Sequence, residues 1–221
     1  MTIDPNIIYL FLVWFLGWGI YFYAGKKRLG LAINTDLSTA FFFLLAALVF
    51  LISRENLPDH IEDNIFFYFS AIVMVFIAIN HIYFLIRRKF NEPLTLIEGH
   101  PTDRWLESNR RAIFVTLAHI LFQQMIITVL ITSLWHKYGD LSLVIKYFVI
   151  TFGLIHMPIV VFKGFKFMAL YTLPAIIAGL IFPVVLIKLG FTGFILNFII
   201  HSSFYVLLTY LFWHNQGKIK E

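Results

Sequence analysis

The sequence predicts an all-α, polytopic integral membrane protein with about seven transmembrane helices. Three observations lead there. Apolar residues make up 60% of the 221, against about 45–50% in soluble domains. Charged residues are only 13%, and the mean hydropathy is +0.85. Seven separate runs approach the roughly 20 apolar residues that cross about 30 Å of hydrocarbon. A soluble fold of this length has too little interior for so much apolar surface, whereas lipid acts as its solvent.

The runs cover 7–24, 36–53, 64–86, 112–135, 141–162, 168–188 and 194–213. The first and second are the shortest. Short loops join the last four, which makes them antiparallel neighbours. The chain divides on this reading into N-terminal helices with a cytoplasmic loop, residues 1–111, and a transmembrane core, residues 112–221. The start, Met1-Thr-Ile-Asp-Pro-Asn6, lacks the basic region and small-residue cleavage site of a signal peptide. The first run therefore reads as a retained helix. Gly217–Glu221 carries no lipidation motif. With no cysteine, disulfides and thiolate metal sites are excluded.

Charge placement gives an orientation. One side holds Lys26, Lys27 and Arg28, then Arg87, Arg88, Lys89, Arg104, Arg110 and Arg111, then Lys163 and Lys166, then Lys218 and Lys220. These are thirteen of the 17 Lys and Arg. The other side has Arg54, Lys137 and Lys188, with Lys146 just inside a helix end, where it can snorkel. The positive-inside rule then puts the N-terminus outside and the C-terminus in the cytoplasm, most simply of a plasma membrane. The acidic Glu55, Asp59, Glu62 and Asp63 fall in an outside loop. Basic residues scattered between apolar runs make no nucleic-acid patch, so the expected partner is the lipid bilayer. The loop 87–111 has room for an amphipathic piece at Trp105-Leu106, or is a solvated connector. Pro158, Pro174 and Pro183 read as kinks. Tyr9, Trp14, Trp18, Tyr21 and Tyr23 are candidates for part of an interfacial aromatic belt.

The informative residues are those that do not belong in hydrocarbon. No Asp or Glu lies in the interior of any run, which argues against an ion pump or proton-coupled carrier. Amide, imidazole and hydroxyl groups remain. The third run has Asn80 and His81, and the fourth His119, Gln123, Gln124 and Thr128. The fifth has His156, and the seventh Asn197, His201, Ser202, Ser203 and Tyr205. The pairs 119/123, 124/128, 197/201 and 201/205 are four apart and share helix faces. An unpaired polar group in lipid costs roughly 2–7 kcal/mol, so these stripes should face the bundle interior. They then serve either as interhelical hydrogen bonds or as the lining of a shared cavity.

Residues 112–213 resemble the CPBP family of CAAX-protease and bacteriocin-processing membrane enzymes. The stretch Ile150-Thr-Phe-Gly-Leu-Ile-His156 is similar to that family's Phe-x-x-x-His motif, with Phe152 and His156 in place. Ala175-Ile-Ile-Ala-Gly179 is similar to the glycine-containing helix that follows. Leu189 to His201 is similar to the turn and helix leading to the last family histidine. The first family motif, a Glu-Glu pair with Arg four residues on, aligns with Gln123, Gln124 and Thr128. Tyr205 stands where the family normally has Asn. The resemblance covers a little under half of the chain.

The resemblance implies site positions Gln123, Gln124, His156 and His201, supported by Phe152, Thr128, Asn197 and Tyr205. In the family a glutamate activates water for attack on a peptide bond. A glutamine amide donates and accepts hydrogen bonds but cannot take up that proton. Losing the arginine along with the acids is coherent, because a buried Arg without its carboxylate is a stranded charge. The expectation is thus a CPBP-like pseudoenzyme with weakened or lost peptidase activity, binding a membrane protein or lipid-modified peptide. The first alternative is an active endopeptidase, with zinc on His119, His156 and His201. The second is a haem-binding redox protein with axial histidines from two helices. The leading reading has no cofactor.

Overall fold

The computed structural model describes residues 5–53, 65–93, 106–107, 110–157, 160 and 164–216. Among them there is no β-strand, and the fold is an all-α polytopic membrane protein. The helices are α1 (Pro5–Lys26), the single-turn α2 (Gly30–Ile33), α3 (Thr35–Ser53), α4 (Ile65–Lys89), α5 (Arg110–Tyr138), α6 (Leu141–His156) and α7 (Phe165–Gln216). Five of them are long and apolar enough to cross a membrane, and α6 is a shorter apolar helix. In hydrocarbon the backbone must satisfy its own hydrogen bonds, and a helix does so within the segment.

The 52 residues of α7 do not form one rod. Gly190 has φ 54° and ψ −127°, outside the helical region, a conformation open mainly to glycine. Beyond it the chain folds back: a Cβ on Gly193 would collide with Val185 O and Leu186 Cα. Asn197 Nδ2 donates to Phe182 O across the hairpin at 3.1 Å. The sixth and seventh predicted runs are these two antiparallel arms, 165–189 and 191–216.

Helix ends follow their local chemistry. Gly139, at φ 58°, closes α5, with its N–H on Trp135 O at 2.8 Å. Asp140 caps α6 by accepting from Leu143 N at 2.8 Å. Asn34 Oδ1 accepts from Asp36 N and Leu37 N at 2.9 and 3.2 Å at the start of α3. α6 ends at His156, well short of the predicted 162. Pro158 has no N–H to offer Leu154 O. That carbonyl is instead reached by Met157 N at 3.1 Å, a tighter i+3 bond that ends the α-helix.

The centre of the bundle is α5. Of its membrane-length segment 83% is buried, against 17–33% in the other long helices. α3 packs along one side of it, and α6 and α7 close the other. Phe122 on α5 stacks on Trp14 of α1 at 6.0 Å and meets Phe42 of α3 at 6.2 Å. Such aromatic pairs add about 0.5–1.5 kcal/mol each beyond simple burial. Trp14 and Tyr21 are buried and Trp18 half-buried, so these three belong to the core and not to an interfacial belt; Tyr9 and Tyr23 are exposed. Positions 14, 18 and 21 share one helix face, and that face meets α5. Lys146 is exposed, as a snorkelling lysine requires. The Trp105 position, the acidic loop carrying Glu55, Asp59, Glu62 and Asp63, and the side chains of Arg104, Lys163 and Lys166 lie outside the described residues.

Candidate functional site

α5 turns its polar stripe inward. His119, Gln123, Gln124 and Thr128 are all at most 5% exposed. From α7, Asn197, Ser202 and Tyr205 are also buried, His201 is half-buried, and Ser203 faces out. Asn80 is half-buried and His81 exposed, so α4 adds neither to the cluster's core.

Tyr205 is the hub. Its ring lies 5.1 Å from His119 and 5.5 Å from His201, centroid to centroid. Gln123 Nε2 donates to its hydroxyl at 3.5 Å, the outer limit of a hydrogen bond. Around this hub is a partly open cavity of about 200 Å³ between α5, α6 and the two arms of α7. Its polar lining is Gln123, His156, His201 and the two tyrosines, Tyr171 and Tyr205. Phe152, Phe182 and Phe204 supply aromatic walls, with aliphatic residues of α7 completing them.

The α6 contribution is set by helix geometry. Phe152 and His156 are one turn apart, with ring centroids 4.8 Å apart at nearly right angles. His156 Nδ1 lies 2.6 Å from Phe152 O, which holds the imidazole in one orientation. Trp14 of α1 covers its other side at 6.2 Å.

The positions singled out in the sequence therefore separate. Gln123, Phe152, His156, His201 and Tyr205 meet at one cavity. Gln124 does not line it: the side chain is fully buried, and neither amide atom has a hydrogen-bond partner among the described residues. Thr128 is buried further along α5. Asn197 ties the arms of α7 together. His119 sits on the far side of Tyr205, packed by Trp18 at 5.6 Å and Phe42 at 5.7 Å. Among the described residues no three His, Cys, Asp or Glu side chains could hold a metal. As placed, His119, His156 and His201 are not a ligand set. Their ring contacts run to Tyr205, Phe152, Phe182, Phe42 and the tryptophans.

Sequence reasoning missed the part played by α1 and α3. Trp14, Trp18 and Phe42 come from the N-terminal half and pack directly on two of the histidines. The 3.6-residue spacing of positions 14, 18 and 21 was the signal available. Tyr171 and Phe182 left no such signal, because an aromatic in a lipid-facing helix looks the same as one in a wall.

Chemically, the cavity offers neutral hydrogen-bonding groups among aromatic rings. Among the described residues no carboxylate and no cation lines it. No family model, curated protein or solved structure matches this chain.

Proposed function

We propose that this chain is a divergent CPBP-like intramembrane protein. It holds a membrane-embedded partner or lipid-modified peptide in the cavity without cleaving it. One observation carries the reading. Gln123, aligned with a catalytic glutamate by the resemblance, shares a single cavity with Phe152, His156 and His201, and no carboxylate lines that cavity. A neutral amide there can orient a carbonyl or a water but cannot generate hydroxide.

The test is cleavage and crosslinking in proteoliposomes with CAAX-type and bacteriocin-leader peptides. The native chain should crosslink and leave the peptide intact. Gln123→Glu should restore slow cleavage, and Gln124→Glu should not, since Gln124 lies off the cavity. Cleavage by the native chain would overturn the reading.

The second reading, an active endopeptidase, has its own support. The bond to Phe152 O fixes His156 so that Nε2 can accept a proton. Cleavage that survives in Gln123→Ala and is lost in His156→Ala would favour it, and loss on chelation would add zinc. A Soret band in the purified protein would favour haem.

We also propose a plasma-membrane location with the N-terminus outside and the C-terminus cytoplasmic, supported by the Lys and Arg bias. The chain has no native cysteine. Single cysteines placed at each terminus can therefore be read directly with an impermeant thiol reagent on intact cells.

A further inference from the structure

The cavity has a mouth as well as a floor. Ile177 and Ile181 on the first arm of α7 and Ile200 on the second all line it, yet they are 60%, 39% and 40% exposed on the outside of the bundle. At about 1.5 Å per residue, Ile177 lies roughly 18 Å along the helix from Phe165. The hydrocarbon layer is about 30 Å thick, so the mouth opens toward acyl chains and not toward water.

The floor has a fixed polarity. A backbone carbonyl only accepts, so the contact with Phe152 O requires His156 Nδ1 to carry the proton. Nε2 of the same neutral ring is then a lone-pair acceptor, on a side chain that lines the cavity. Gln123 and Tyr205 stand nearby with an amide and a hydroxyl. Among the described residues no Lys, Arg, Asp or Glu lines the space, so an ionised ligand would be desolvated without a counter-charge. The volume of about 200 Å³ is below the roughly 300–1,000 Å³ of sites that enclose a drug-sized molecule. It suits a head group whose tail remains in the bilayer.

We infer that the cavity takes the head group of a neutral, hydroxyl-bearing lipid, which enters sideways from the bilayer past Ile177, Ile181 and Ile200 and donates its O–H to His156 Nε2. This rests on the cavity being a binding site, as the functional reading holds, and it names the ligand class. Isoprenols, quinols and diacylglycerols share the required chemistry.

The test uses the full chain in lipid nanodiscs, photolabelled with a diazirine analogue of farnesol. Competitors are farnesol, farnesyl methyl ether, a short-chain benzoquinol and diacylglycerol. Farnesol should compete about tenfold better than its ether, which keeps the tail and loses the donor, leaving a buried acceptor bare. A quinol or diacylglycerol that outcompetes farnesol supports the same chemistry and identifies the source. His156→Phe should level alcohol and ether while labelling persists. Ile177→Trp, on a lipid-facing position that the fold tolerates, should block the label.

Equal competition by alcohol and ether in the native chain overturns the donor assignment. Labelling indifferent to Ile177→Trp overturns lateral entry. A native chain that crosslinks a CAAX-type peptide but takes no farnesol label removes the lipid ligand and leaves the peptide reading standing. Label without any peptide binding does the reverse, and neither one sinks both.

Discussion

The position of His156 depends on how closely α6 approaches α7, and Gly179 sets that approach. A Cβ at position 179 would lie 2.9 Å from Val149 Cγ2 and 3.1 Å from Val149 Cα. The first contact can be relieved by a rotamer change. The second is backbone, so the helices must part by a few tenths of an ångström. Overpacking of this kind costs about 1–3 kcal/mol. Alanine's better helix propensity returns up to about 1 kcal/mol. Gly179→Ala should therefore destabilise by up to about 2 kcal/mol net, a fall of up to about 8 °C in Tm for a chain of this size. Thermal unfolding in detergent micelles measures it. Val149→Ala removes the side-chain clash and leaves the backbone one. In the Gly179→Ala background it should give a favourable coupling of about 0.5 kcal/mol or more in a double-mutant cycle. A Gly179→Ala variant as stable as the native chain, with strictly additive behaviour, would refute the close α6–α7 contact and with it the placement of His156 at the cavity.

Two further outcomes follow from single hydrogen bonds. Asn197→Ala removes the tie to Phe182 O across the α7 hairpin. It should cost about 1–2 kcal/mol, near the upper end for interhelical hydrogen bonds in membranes, because burial is also lost; unfolding in a mild-to-harsh detergent series reads it. Trp213→Phe removes the donor to Leu106 O, a buried 2.7 Å bond over a separation of 107 residues. It should lower global Tm by about 2–4 °C, the scale of a single bond of about 1 kcal/mol, while speeding limited proteolysis near residue 106. Unchanged proteolysis would mean that Trp213 does not anchor that segment.

How much of this was legible in the sequence depends on what sets each feature. The helices are set by lipid, which demands long apolar segments, so each predicted run has a described helix or arm along most of its length, the fifth stopping at His156. The turns at Gly139-Asp140 and Gly190 are set by backbone chemistry that glycine and aspartate announce. The end of α6 just before Pro158 fits proline's missing N–H, whose sequence signal does not distinguish a kink from a helix end. The site was legible in direction and not in detail. Spacing by four put His119 with Gln123 and Gln124 with Thr128 on inward faces. Adjacent residues, however, sit about 100° apart around a helix, so spacing alone does not say whether Gln123, Gln124 or both face the cavity. Only tertiary packing decides that. The same holds for Trp14 and Trp18: an aromatic near a membrane surface and one against a buried imidazole have identical local sequence, and packing against α5 made them core.

The absence of charge ties the polar cluster to its aromatic surroundings. Among the described residues no Lys, Arg, Asp or Glu is buried. Imidazole, carboxamide and phenol are the most polar groups the interior keeps. An ion placed here would carry a desolvation penalty of several kcal/mol, while a neutral group with one good partner breaks nearly even. Ring faces and edges of Trp14, Trp18, Phe42 and Tyr205 pack against the histidines. On the proposed CPBP reading, Gln123, Gln124 and Thr128 stand together where that family has two acids and an arginine, so no partner charge of the motif is left stranded. What remains can discriminate between donors and acceptors on a neutral ligand, but it has no carboxylate base with which to drive hydrolysis. Gln123→Glu puts that distinction to the test at the one aligned acid position that reaches the cavity.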